Sequence, residues 1–130
     1  MKDDPLDLLY FVQGNTCFLL NQGKQGIAEL EFDNSSFGFE DGYVVGSDYG
    51  RFRVRNFAPA TYFKVYEMTQ TEVIYSPRGT WFELAIHCGK MADGSHIGEC
   101  VMKSVEKYGG FKPPGDFVDL EMEPLGKTEP

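Results

Sequence analysis

Residues 51–55 read Arg51-Phe52-Arg53-Val54-Arg55, and residues 29–33 read Glu29-Leu30-Glu31-Phe32-Asp33. Both alternate with a period of two, the side-chain period of a β-strand and not of a helix. In an extended strand Phe52 and Val54 turn towards a core, and Arg51, Arg53 and Arg55 form a cationic row on the other face. Leu30 and Phe32 likewise back onto an acidic row of Glu29, Glu31 and Asp33. A third segment, Asp119, Glu121 and Glu123, repeats the acidic spacing. Antiparallel pairing of the arginine strand with either acidic segment sets opposite charges across from one another. That helps to choose register, because a slip of one residue turns every side chain to the wrong face. One basic row neutralises one acidic row and leaves the other on the surface.

Turn signals continue outward from these strands every eight to twelve residues, the spacing of a β-meander. Leu8–Val12 and Thr16–Leu20 read as strands joined by a type II′ turn at Gly14-Asn15. Ile27–Asp33 is the acidic strand. Asp41-Gly42 is a hairpin turn joining Phe37–Glu40 to Tyr43–Val45, and Ser47-Asp48-Tyr49-Gly50 reads as a second tight connection into the arginine strand. Tyr62–Met68 has large residues on both faces, Glu72–Tyr75 continues it or follows a short turn at Thr69–Thr71, Ser76-Pro77-Arg78-Gly79 fits a type I turn, and Thr80–His87 is a further strand. Ser95–Tyr108 is expected to be the one helix. Ile97, Cys100, Val101, Ser104, Val105 and Tyr108 recur at three- and four-residue steps, Ser95 serves as N-cap, and Gly109-Gly110 ends it. Phe117–Met122 alternates again. The fold class expected is therefore α+β: a mainly antiparallel, twisted β-sheet, as a sandwich or partial barrel, with one helix in the C-terminal half packed on it. The chain reads as a single domain, 1–130, with 1–5 and 124–130 frayed.

The chain has 130 residues, a formal net charge of -8, 42% hydrophobic residues and 15% aromatics. That is enough apolar material for one packed core. Cys17, Cys88 and Cys100 are an odd number at irregular spacing, which argues against a disulfide framework and for a reducing compartment. The start, Met1-Lys2-Asp3-Asp4-Pro5, leads into no long apolar run, so neither a signal peptide nor a membrane span is expected and a cytoplasmic location is. The negative field repels nucleic acid and anionic membranes and favours a basic protein partner. The excess leans towards the half after Val65, which has eleven carboxylates against six basic residues.

Catalytic and metal-binding patterns are weak. His87, Cys88, His96 and Cys100 are all zinc-ligand types, yet their spacing fits no zinc pattern with a mechanical rationale, and His87 and Cys88 point to opposite faces of a continuing strand. A nucleophile built from Cys88 or Cys17 with His87 or His96 as base lacks any surrounding motif. Gly42-Tyr43-Val44-Val45-Gly46 lacks the lysine and the helix of a phosphate loop. No cofactor and no metal is expected. The function expected is a small acidic binding protein that docks on, and inhibits, a basic partner such as a nuclease or another nucleic-acid-binding protein. Its candidate binding residues are Asp119, Glu121, Glu123, Glu29, Glu31, Asp33, Arg51, Arg53 and Arg55. The alternative is a small-molecule-binding β-barrel with a cavity lined by Trp81, Phe82, Tyr62, Tyr66 and Phe63. A zinc- or cysteine-dependent enzyme comes third.

Overall fold

The extended conformation around Arg53 recurs through most of the described residues. The computed structural model describes residues 6–40, 43–68 and 81–126. They form β1 (Leu8–Gln13), β2 (Thr16–Asn21), β3 (Ile27–Glu40), β4 (Tyr43–Phe57), β5 (Thr61–Glu67), β6 (Trp81–Met91), β7 (His96–Ile97), β8 (Cys100–Lys103), β9 (Val105–Lys107), β10 (Asp116–Phe117) and β11 (Glu123–Gly126). The first sheet has the order β10-β5-β2-β1-β9; the second runs β11-β4-β3-β6-β7, with β8 also on β6. Pairing is antiparallel except for β1 with β9 and β10 with β5.

Local chemistry sets the turns. At Gly14-Asn15 only Gly14 has positive φ, 65°, the pattern of a II′ turn closing β1 on β2. The expected Asp41-Gly42 turn lies outside the described residues, but its flanks pair as Glu40↔Tyr43. The expected strand at Glu72–Tyr75 and turn at Ser76–Gly79 also lie outside them. Ser47–Gly50 is not a turn. β4 runs straight through it, and the β3–β4 register shifts there, from Asp33↔Arg51 to Ser35↔Asp48. Asp48 Oδ1 accepts the Gly50 N–H at 2.9 Å, and Gly50 has φ 108°. The glycine that suggested a turn instead accommodates a bulge, and β3 and β4 become long strands.

The expected helix is absent, and among the described residues the fold is all-β rather than α+β. Ser95–Tyr108 supplies β7, β8 and β9. Its apolar spacing does not match burial: Ile97 is buried, but Val101 is 66% and Tyr108 79% exposed. Gly98 and the β-branched Ile97, Val101 and Val105 lower helix propensity. β6 and β1, meanwhile, offer backbone edges that need partners. Ser95 caps nothing; its N–H and Oγ both donate to Asp93 Oδ1, at 2.9 and 2.6 Å, in the β6–β7 turn. Those bonds hold the Asp93 carboxyl below its ordinary range.

The two sheets pack face to face. Tyr10, Val12, Cys17, Leu19 and Phe63 of the first meet Leu30, Phe32, Val54, Phe57, Leu84 and Ile86 of the second, all buried. Phe63 sits edge-on to Phe57 at 5.0 Å between ring centroids and 6.4 Å from Phe32. Burying each such ring stabilises by about 1.5–3 kcal/mol. A polar link across this core is Tyr10 Oη donating to Asn34 Oδ1. Burial, then Cys17, push the Tyr10 phenol far above its ordinary range.

The segment after β6 stitches both flanks. From β8 on β6 it crosses at Ser104 to β9 on β1, with Ser104 N–H donating to the Phe82 carbonyl at 2.8 Å and Phe82 N–H to Ser104 Oγ at 3.0 Å. It then covers the outer face of the first sheet, where Phe111 and Phe117 close on Phe11, Phe18 and Tyr62. Phe11 and Leu20 are thereby fully buried on a face that would otherwise be wet. From β10 on β5 the chain crosses back to β11 on β4. Phe117–Met122, expected as one strand, is strand only at Phe117 and otherwise forms this crossing.

Candidate functional site

The first sheet is packed on both faces, so the charged rows fall on the outer face of the second. The β3–β4 register sets Glu29 opposite Arg55, Glu31 opposite Arg53 and Asp33 opposite Arg51. On the other side of β4, β11 places Glu123 opposite Arg53. The arginine strand thus pairs with the whole first acidic row on one side and with Glu123 alone of the second on the other.

Arg53 is the hub. Its Nη2 lies 3.4 Å from Glu31 Oε2 and its Nη1 3.4 Å from Glu123 Oε2. Its Nε is 2.8 Å from Glu29 Oε1, yet the N–H is not aligned for a hydrogen bond, so this contact is an ion pair alone. Desolvation opposes the charge on Arg53, but Glu31, Glu29 and Glu123 outweigh it and hold the guanidinium above its ordinary range. Arg55 shares Glu123 Oε2 at 3.2 Å, and Arg51 Nε donates to Asp33 Oδ1 at 3.2 Å.

A second bulge adds a residue to this face. The β3–β6 register steps from Glu31↔Cys88 to Phe32↔Ile86, which leaves His87 as the extra residue. His87 Nε2 reaches Asp33 Oδ2 at 2.7 Å and Arg51 Nη2 at 3.1 Å. Cys88 meets Glu31. His87 and Cys88 therefore address the same acidic row, not opposite faces, because the bulge breaks the alternation. Farther along, Trp81 stacks on Phe37 at 5.8 Å, donates from Nε1 to Glu83 Oε2 at 2.8 Å, and carries Lys103 Nζ 4.5 Å from its ring centre.

No family model, curated protein or solved structure matches this chain. The chemistry of the face must therefore be read from its own residues.

The depression of ≈ 450 Å³ at the β11 end of the face is lined by Arg53, Arg55, Asn56, Glu121 and Glu123. Asp119 and Glu121 are exposed, and among the described residues neither has a cation within ion-pair distance. Of the nine candidate binding residues, seven meet in one ladder, Glu121 lines its end, and Asp119 stands apart on the crossing to β11.

The other candidate sets do not assemble. Among the described residues no three His, Cys, Asp or Glu side chains are placed to hold a metal. His96, on β7, stands opposite Lys90 of β6, whereas His87 reaches Asp33. Desolvation, then Glu31 and Glu29, hold the Cys88 thiol above its ordinary range, a poor setting for a nucleophile. The five aromatics proposed for a cavity are dispersed. Phe63 and Phe82 are in the inter-sheet core, Tyr66 packs against it on Tyr49, Tyr62 lies under Phe117, and Trp81 is on the outer face. The place of His87 in the charged ladder was not legible in the sequence, because no local signal marks the bulge.

Proposed function

We propose that this protein is an acidic docking module, acting in the cytoplasm, that covers a basic surface on a protein partner. The observation that carries the reading is the unequal use of charge on the second sheet. Arg51, Arg53 and Arg55 are each engaged by carboxylates of Asp33, Glu29, Glu31 or Glu123. Asp119 and Glu121 are left exposed beside them, in a chain of net charge -8. Opposite charge steers a basic partner to such a surface and repels nucleic acid and anionic membranes. A partner that uses its basic surface on nucleic acid would be inhibited, because carboxylates would replace the phosphates there.

The test is affinity capture from cell extract at two salt concentrations, with the wild-type chain and with Asp119→Lys/Glu121→Lys. Support requires a basic protein held by the wild type, weakened by salt and lost with the charge-reversed chain. Capture of no protein, or of one indifferent to both changes, removes the proposal.

A further inference from the structure

The outer rim of β8 carries a palindrome of charge. β7 and β8 pair with β6 in one register, from Lys90↔His96 to Glu83↔Lys103, so Glu99, Val101 and Lys103 follow one another on the same side of this rim. Val101 stands opposite Ala85, and Ala85 opposite Asp33, which puts that side on the charged face of the second sheet. There Val101 is 66% exposed. Glu99 and Lys103 flank it, and among the described residues neither belongs to an ion pair. Lys103 Nζ rests over the Trp81 ring, while Glu83, opposite Lys103, accepts the Trp81 indole N–H instead.

The backbone of the same residues also faces outward. Ser104 N–H donates to the Phe82 carbonyl at 2.8 Å, which sets the phase of the β6–β8 ladder. Bonded and non-bonded positions alternate along an antiparallel pair. Cys100 and Met102 therefore turn their N–H and C=O groups to β6, and Glu99, Val101 and Lys103 turn theirs to the open edge. Such a row is a template for another strand. At the opposite edge of the sheet, β11 is blunted by Pro124 and by the register shift beside it. β8 has neither guard.

We propose that this edge joins a second copy of the chain, the two β8 strands running antiparallel about a two-fold axis at Val101. Val101 then faces its own copy and exchanges both backbone hydrogen bonds with it. Glu99 of each chain faces Lys103 of the other, so the symmetry forms the ion pair twice, as a self-complementary contact requires. An axis one residue on, at Met102, would use the same backbone groups but would set Lys103 against Val101. The charges select the Val101 axis. The two second sheets become one continuous sheet, and the exposed valines cover each other. β7 and β8 lie at one edge of the sheet and β11 at the other, so pairing here leaves Glu121 and Glu123 uncovered and is independent of the docking proposal.

The test uses the protein alone. Sedimentation equilibrium over a range of concentrations compares the wild type, Glu99→Lys, Lys103→Glu and the double swap Glu99→Lys/Lys103→Glu, each checked for folding by circular dichroism. The expected result is a reversible wild-type dimer, with association weakened about tenfold in each single variant, where like charges meet twice per dimer, and recovered in the double swap. A wild type that stays monomeric, a dimer equally tight in both folded single variants, or a double swap no tighter than they are overturns the proposal. Amide hydrogen exchange on the wild type decides it without any variant. Protection of the Val101 and Lys103 amides that grows with protein concentration supports the pairing, and free exchange of both in a sedimenting dimer overturns it.

Discussion

Glu31 and Arg53 stand directly opposite each other on β3 and β4, with Glu31 Oε2 3.4 Å from Arg53 Nη2. Glu29 and Glu123 reach the same guanidinium from either side. Removing Arg53 therefore takes the guanidinium from both Glu29 and Glu31 and leaves Glu123 to Arg55, whereas removing Arg55 leaves Glu123 still held by Arg53.

That difference orders the effects of charge reversal. Arg53→Glu should unfold at a lower urea concentration than Arg55→Glu, in a cooperative transition followed by circular dichroism. Equal midpoints would mean that the ladder is a surface feature without a role in β3–β4–β11 pairing. Lost partner binding with unchanged stability in Arg53→Glu would instead place the arginines at the interface.

Tyr10 and Asn34 bridge the two sheets inside the core, 2% and 1% exposed. Tyr10→Phe removes the donor and leaves the Asn34 carbonyl buried without it, a change expected to destabilise by about 1–3 kcal/mol. Urea denaturation of the two chains measures this directly; a difference within error contradicts a fully desolvated Asn34.

The same phenol gives a pH dependence with a definite sign. Burial holds its pKa in the folded chain far above the unfolded value of 10.0. Its contribution is complete below that value and is lost as pH rises through and beyond it, because the unfolded chain releases the proton first. Wild-type stability should therefore fall in alkaline solution more steeply than that of Tyr10→Phe. Parallel alkaline profiles would show that Tyr10 ionises while folded.

Gly115 lets the covering segment approach β5. A Cβ there would lie 2.6 Å from the Ala60 carbonyl oxygen, which accepts the Asp116 N–H at 2.9 Å. Gly115→Ala must move backbone and loosen Phe117 from Tyr62, at a cost of about 1–3 kcal/mol. Unchanged stability and unchanged aromatic circular dichroism would show that the covering segment adapts.

The strands, the arginine row and its acidic partners were legible because an alternation of period two exposes both its core face and its charge row. The hairpin at Gly14-Asn15 was legible from its turn chemistry. The C-terminal third was not. Ile97, Val101 and Val105 carry a helical spacing by coincidence, and what decides their structure is the unpaired edges of β6 and β1, which are distant in sequence. Bulges hid the rest. Ser47–Gly50 carries the composition of a turn but lies inside β4, and His87 carries no sign that it is the extra residue reaching Asp33. For the site, alternation identified the members of the ladder, but only the register shows that β4 lies between the first acidic row and Glu123, with Asp119 and Glu121 beyond the pairing.

The docking of a basic partner on those two carboxylates is tested most directly by comparing capture with the wild-type chain and with Asp119→Lys/Glu121→Lys, both verified as folded. Retention of a basic protein by the wild type, reduced by salt and abolished by the charge reversal, is the predicted result. The same protein held equally by both chains, or no protein held by either, would contradict it.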